Sequence, residues 1–268
     1  MKNTVFYFLC FVPFYATAFC SSDVNTTPAK GWDSFIASAG KDFSDLPSDM
    51  LQGSKETFFR ADSLAALLLA GGASVAMHNE PSDRSMDDRV ADHFDDHQYL
   101  SEFADHSLDF VGGPGFHFGA TGLWYGLAAA NKDDFNRNRA WTMFTALSIT
   151  GVTTAILKAA VDNDTPNEKP WAWPSGHTSS SFTVASVLDE FYGPWVGIPA
   201  YGMAGLVGYR MMETGDHWAS DVLFGGILGW IVGHTVAGKH KQLEVAGFEV
   251  VPYFSESGAN GIAFVRQF

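Results

Sequence analysis

Two stretches without a single charged residue, 140–157 and 191–209, constrain this chain more than any other feature. Each is long enough for about five helical turns, and each needs its surface kept from bulk water. Length alone would let either cross a membrane. Both are rich in Gly, Ala, Ser and Thr, and the second contains Pro194 and Pro199. The mean hydropathy of the whole chain is essentially zero. These features favour a soluble bundle with unusually apolar inner helices, with membrane association as the alternative.

The rest of the pattern is also helical. Residues 63–78 form an apolar stretch ended by Asn79-Glu80-Pro81. Gly112-Gly113-Pro114-Gly115 is a break, after which 116–130 and 138–161 read as helices. Further helices are expected over 178–190, 195–212 and 217–237, giving an all-α bundle with short polar links. Residues 19–56 are polar with scattered aromatics and are expected to wrap the surface. Residues 248–254 and 261–268 read as two strands joined by a turn at 255–260, a short C-terminal β-hairpin packed against the body. The expected organisation is a signal peptide (1–18), a polar segment (19–56), a helical domain (57–240) and the hairpin (246–268).

Charge narrows the partners. A formal net charge of -14 excludes nucleic acid, because nothing here neutralises a phosphate backbone. An anionic substrate must be held by a local cluster. Lys2, the apolar run 5–15 and Ala16-Thr17-Ala18 read as an export signal with a small-x-small cleavage site. Cleavage would leave Cys20 alone, so no internal disulfide is expected. The expected location is the periplasm or cell envelope. Phe268, ending an alternating strand, resembles the end of outer-membrane proteins.

Chemistry concentrates between residues 158 and 221. His217 and Asp221 are four apart and share a helical face, so the carboxylate can fix the imidazole tautomer. Pro174-Ser175-Gly176-His177 precedes a helix whose first amides point at anions, and Gly176 allows close approach. Ser175 offers a hydroxyl, Lys158 a point positive charge, and His177 a general acid. Together these are the parts for covalent phosphoryl transfer. Elsewhere, 80–109 holds ten Asp or Glu against two Arg. His93 and His97 lie there four apart and could start a metal site, but no third ligand is specified, so a solvated acidic face is expected and no metal. His106 and His117 read as structural.

The stretch from Lys158 to Asp221 resembles the type 2 phosphatidic acid phosphatase and vanadium haloperoxidase superfamily. That family carries Lys-x6-Arg-Pro, Pro-Ser-Gly-His and Ser-Arg-x5-His-x3-Asp. By eye the resemblance extends over roughly the last two thirds of the chain. It implies an all-α bundle of that type, a phosphohistidine on His217, acid catalysis by His177 and no cofactor, with vanadate as an inhibitor or, in the haloperoxidases, a cofactor. The implied substrate is a phosphorylated small molecule or a lipid-linked phosphate or diphosphate; the oligomeric state is not implied.

Two departures stand out. Thr165 occupies the arginine position of the first element, and Arg210 precedes His217 by one residue more than the family spacing. Thr165 can donate one neutral hydrogen bond, while Arg210 is displaced by about 100 degrees on a helix. Lys169, Arg137 or Arg139 could substitute. The readings are therefore a phosphatase, a vanadate-dependent haloperoxidase, or a degenerate envelope binding protein. Trp171 and Trp173 beside the motif suit either a lipid tail or ordinary packing.

Overall fold

The computed structural model describes residues 28–79, 84–238, 244–245, 248–254 and 260–265. The expected signal, Cys10 and Cys20 lie outside these. Among the described residues the helices are α1 (Pro28–Phe58), α2 (Ala61–His78), α3 (Met86–Asp96), α4 (Glu102–Gly112), α5 (Pro114–Ala130), α6 (Asp134–Val161), α7 (Gly176–Tyr192), α8 (Pro194–Glu213) and α9 (Ala219–Ala237). The backbone also pairs β2 (Phe248–Phe254) antiparallel to β3 (Asn260–Val265), with β1 (Glu244–Val245) on the other side of β2. The turn between β2 and β3 lies outside the described residues.

Helix α7 is central, packed between α8, α9 and α6. The core gathers Met143, Ala146, Leu147 and Ile149 of α6, Val187 of α7, and Phe224, Leu228 and Val232 of α9. Small residues let these helices touch. A Cβ on Gly229 would overlap the Ser179 carbonyl oxygen and lie 2.9 Å from the Thr183 nitrogen. Hydroxyls bind across the α6–α7 seam, with Thr150 and Thr183 2.8 Å apart and Thr154 and Ser179 3.2 Å apart. Gly229→Ala is therefore expected to destabilise the fold by about 2–3 kcal/mol, read as a lower unfolding temperature in detergent. Gly202→Ala, where a Cβ meets nothing within 4 Å, should leave it unchanged or slightly raised.

Residues 28–58 correct the expectation of a polar surface wrap. They form one helix, α1, despite Pro47 inside it. Its apolar stripe places Phe43 edge-on to Trp141 and Phe144, at 5.2 and 5.7 Å, and brings Met50 and Phe58 to the core. Its acids act as acceptors: Asp42 takes the Tyr125 hydroxyl at 2.6 Å and Asp49 the Trp141 ring N–H at 2.9 Å.

Between a soluble bundle and membrane association, the described helices favour the second. Three described helices, α2, α6 and α9, are long and apolar enough to cross a membrane. Leu64, Leu68, Leu69 and Val75 of α2, with Leu123 and Leu127 of α5, present their side chains outward. Such outward apolar faces suit lipid, the alternative that the sequence left open. Of the two charge-free runs, 140–157 lies within α6, while α8, which holds most of 191–209, is not among these three.

Candidate active site

Four helix ends meet at one end of the bundle: the C-termini of α6 and α8, and the N-termini of α7 and α9. Ser175 is the N-cap of α7 and fully buried; its Oγ accepts from the Thr178 N–H (3.3 Å) and hydroxyl (3.0 Å). The Ser175 N–H donates to the Asp221 carbonyl at 3.2 Å, so the backbone joins the two motifs directly. Gly225 permits that approach, since a Cβ there would sit 2.8 Å from the Ser175 carbonyl oxygen.

His217 is delivered by a turn. Helix α8 stops at Glu213, Gly215 takes φ +67, and the His217 N–H returns to the Met211 carbonyl at 2.9 Å. One turn of α9 later, the Asp221 Oδ2 lies 3.2 Å from His217 Nδ1 and accepts the Trp218 N–H at 2.9 Å. Asp221 is fully buried, and a carboxylate oxygen that accepts from Nδ1 leaves the lone pair of the ring on Nε2. Its other oxygen, Oδ1, has no hydrogen-bond partner among the described residues. Lys158 is close enough to Asp221 to interact electrostatically, and its ammonium donates to the carbonyls of Trp171 and Ala172.

His177, the second residue of α7, places Nε2 3.5 Å from Asp109 Oδ1. Burial pulls its pKa below the ordinary histidine value; Asp109 opposes this, while His217 and Arg210 add to it. The two histidines therefore feel each other's charge.

The displaced Arg210 does reach this neighbourhood. Its Nε donates to Asp105 at 2.6 Å, and its Nη1 lies 2.6 Å from Asp216 and 3.0 Å from Asp109. Burial alone would raise the Asp216 carboxyl. Hydrogen bonds from Lys169, Asn167 and Thr214, with the Arg210 charge, outweigh it and hold that carboxyl at about 2.

The other candidates are occupied. Thr165 Oγ1 accepts the Lys169 N–H at 2.9 Å and donates to Asn167 at 2.6 Å, within its own loop. Lys169 pairs with Asp216 at 2.9 Å. Arg137 and Arg139 lie in the first turns of α6, about 30 Å along the helix from Lys158, so neither substitutes for the missing arginine. Arg139 stacks on Phe135, Phe191 and Tyr192. Trp173 packs on Phe224 at 4.3 Å between ring centres, whereas Trp171 is exposed. His93 and His97 stack 5.1 Å apart, and no group of three or more His, Cys, Asp or Glu among the described residues is placed to hold a metal. His117 is buried behind His177 and reads as packing.

Sequence reasoning missed Asp105 and Asp109. They are four apart on α4 and meet one arginine of α8, so that spacing was the available signal.

The site is thus a buried His–Asp pair beside a Ser-Gly-His helix start, held within a helical bundle. Residues 139–243, less than half of the chain, match the family model of the PAP2 superfamily. A 65-residue stretch is 38% identical to the lipid A 1-phosphatase of Porphyromonas gingivalis; it spans 23% of this chain and only 15% of that protein. The fold resembles the transmembrane PAP2-type phosphatidylglycerolphosphate phosphatase of Bacillus subtilis, with TM-score 0.57 and 19% identity over 67% of this chain and 96% of that one.

Proposed function

We propose that this chain is a membrane-associated phosphatase that cleaves lipid-linked phosphates through a phosphohistidine on His217. The observation that carries this reading is the buried His217–Asp221 contact beside the N-terminus of α7. His217 Nε2 attacks phosphorus, the ester P–O bond breaks, and His177 gives its Nε2 proton to the departing oxygen. Water then attacks the phosphohistidine, His177 takes the water proton, and inorganic phosphate leaves. Asp221 stabilises the imidazolium character that develops on His217. Lys158, the Ser175 hydroxyl and the first amides of α7 hold the phosphoryl oxygens.

A lipid-linked substrate is supported by the membrane-length helices and by the names of the two relatives above. It is tested by comparing phosphatidic acid and a prenyl diphosphate with p-nitrophenyl phosphate in detergent. The lipids should show a kcat/KM at least about tenfold higher, because apolar contacts add binding energy remote from the phosphoryl group. Equal turnover of the soluble ester would contradict the lipid assignment. Orthovanadate should inhibit competitively, as a five-coordinate mimic of the transition state. Export of the chain, with the site facing the periplasm, belongs to the same reading and rests on residues 1–18.

Asp109 tunes this site. It is half exposed and sits between Arg210 and His177, as a phosphoryl oxygen would. Asp109→Asn is expected to lower KM about three- to tenfold by removing a negative charge from the phosphate's surroundings. The Asp109 charge also holds the His177 pKa up. Its removal lowers that pKa, so the alkaline limb of kcat/KM should move to lower pH. A limb that stays put or moves upward would contradict acid catalysis by His177.

A further inference from the structure

We propose that Asp87 of α3 is a positioning residue for His217. With Ser74 and His78 of α2 it forms a clasp, buried at Asp87 and Ser74, that locks the two motif turns together; this rests on His217 being the nucleophile.

The Asp87 side chain has no solvent exposure. A carboxylate so placed is costly unless donors satisfy it. Three do: the Ser220 N–H at 2.9 Å, the Ser220 hydroxyl at 2.5 Å, and His78 Nδ1 at 2.9 Å. Two of the three come from Ser220, which lies between His217 and Asp221 in sequence. Asp87 thus caps the first turn of α9 from outside that helix, where its charge also suits the helix dipole.

The clasp reaches the other motif through Ser74. Its hydroxyl donates to the Ser220 carbonyl at 3.2 Å and accepts the Trp173 ring N–H at 2.9 Å. Trp173 is two residues before Ser175. The His78 ring meets Trp218, next to His217, edge to face at 5.5 Å. Residues 74, 78 and 87 all lie outside the 139–243 segment.

The link to catalysis is a division of labour between two carboxylates. Asp87 satisfies the Ser220 donors, while Asp221 serves the Trp218 N–H and His217 Nδ1. If Asp87 loses its charge, the Ser220 hydroxyl loses a strong acceptor at the same helix end. The first turn of α9, which carries Asp221, then loses its outside anchor, and the Asp221 carboxylate loosens its hold on the His217 ring. The nucleophile keeps its neighbours but loses its fixed tautomer and aim.

The test uses the full chain in detergent micelles with ring-15N-labelled histidine. Asp87→Asn should lower kcat about 10- to 100-fold with KM within about twofold. The His217 ring signals should move from the single Nδ1–H tautomer toward a mixture. Thr57→Val, a buried change on α1 outside the site, should lower the unfolding temperature while leaving kcat and the His217 signals alone. Ser74→Ala removes only the tie to Trp173 and Ser220; it should cost about three- to tenfold in kcat, and it decides the matter if Asp87→Asn fails to fold. Unchanged His217 signals and wild-type kcat in the folded Asp87 or Ser74 variants would overturn the proposal. So would an equal loss of kcat in Thr57→Val. If the wild type releases no phosphate from any substrate, the phosphatase reading fails, while the ring signals still show whether Asp87 governs His217.

Discussion

His217→Ala is expected to lower phosphate release by at least about 10³-fold, with little change in unfolding temperature. A nucleophile that divides the reaction into two steps has no substitute, and what activity remains reflects binding and charge stabilisation alone. The packing cost is small. The imidazole is held chiefly by the Asp221 contact, and the turn that carries it is fixed by backbone bonds to Met211 and from Ser175 to Asp221. Asp221→Asn should fall in the same direction by a smaller factor, on the order of 10²-fold, because the ring remains but its tautomer is no longer enforced. An alanine variant retaining a tenth or more of the wild-type rate would remove His217 from the chemistry.

Arg210→Ala should damage both stability and turnover. Arg210 is nearly buried and stands among Asp105, Asp109 and Asp216 at 2.6–3.0 Å. Without it three carboxylates face one another with Lys169 as the cation paired to one of them. Losing one partner of a fully buried ion pair costs about 3–5 kcal/mol. These acids keep some exposure to water, so about 2 kcal/mol is expected, enough to lower the unfolding temperature by roughly 5 °C. Turnover should fall about 10²-fold, since the site then repels a phosphate dianion. Arg210→Lys should recover part of the stability and less of the activity, because an ammonium cannot fork between acceptors. Wild-type stability in the alanine variant would mean that the arginine does not hold α4 against α8.

The histidine pair was legible because the chemistry demands local spacing. Asp221 must lie one turn after His217, and Ser175 must cap a helix start, so each relation is written within five residues. Helices α2 and α5 to α9 were legible for a similar reason, and their bounds shift by only a few residues, whereas α3 and α4 were hidden in the acidic stretch. Helix α1 was hidden by Pro47 and by acids that read as solvated. Asp42 and Asp49 are instead acceptors for Tyr125 and Trp141, nearly a hundred residues away. The acidic stretch misled in the same way. Asp87, Asp105 and Asp109 all find partners on α8 or α9; the four-residue spacing of Asp105 and Asp109 marks a shared face, but it does not name the residue met about a hundred residues later. The outward apolar faces were obscured because Gly, Ser and Thr in the inner helices and the acids of 80–109 lower the mean hydropathy. Those small residues serve helix contacts, while leucines face outward. The register of Arg210 turned on Gly215, whose left-handed turn interrupts the helix between Arg210 and His217 and makes simple helical phasing inapplicable.

Trapping the covalent intermediate tests the central claim most directly. Wild-type protein mixed with 32P-labelled phosphatidic acid or prenyl diphosphate and quenched in alkali should retain label on the peptide containing His217. The adduct should be acid-labile and base-stable, as a phosphoramidate is, and His217→Ala should carry none. Rapid phosphate release from the wild type with no labelled His217 at any quench time would contradict covalent catalysis by this histidine.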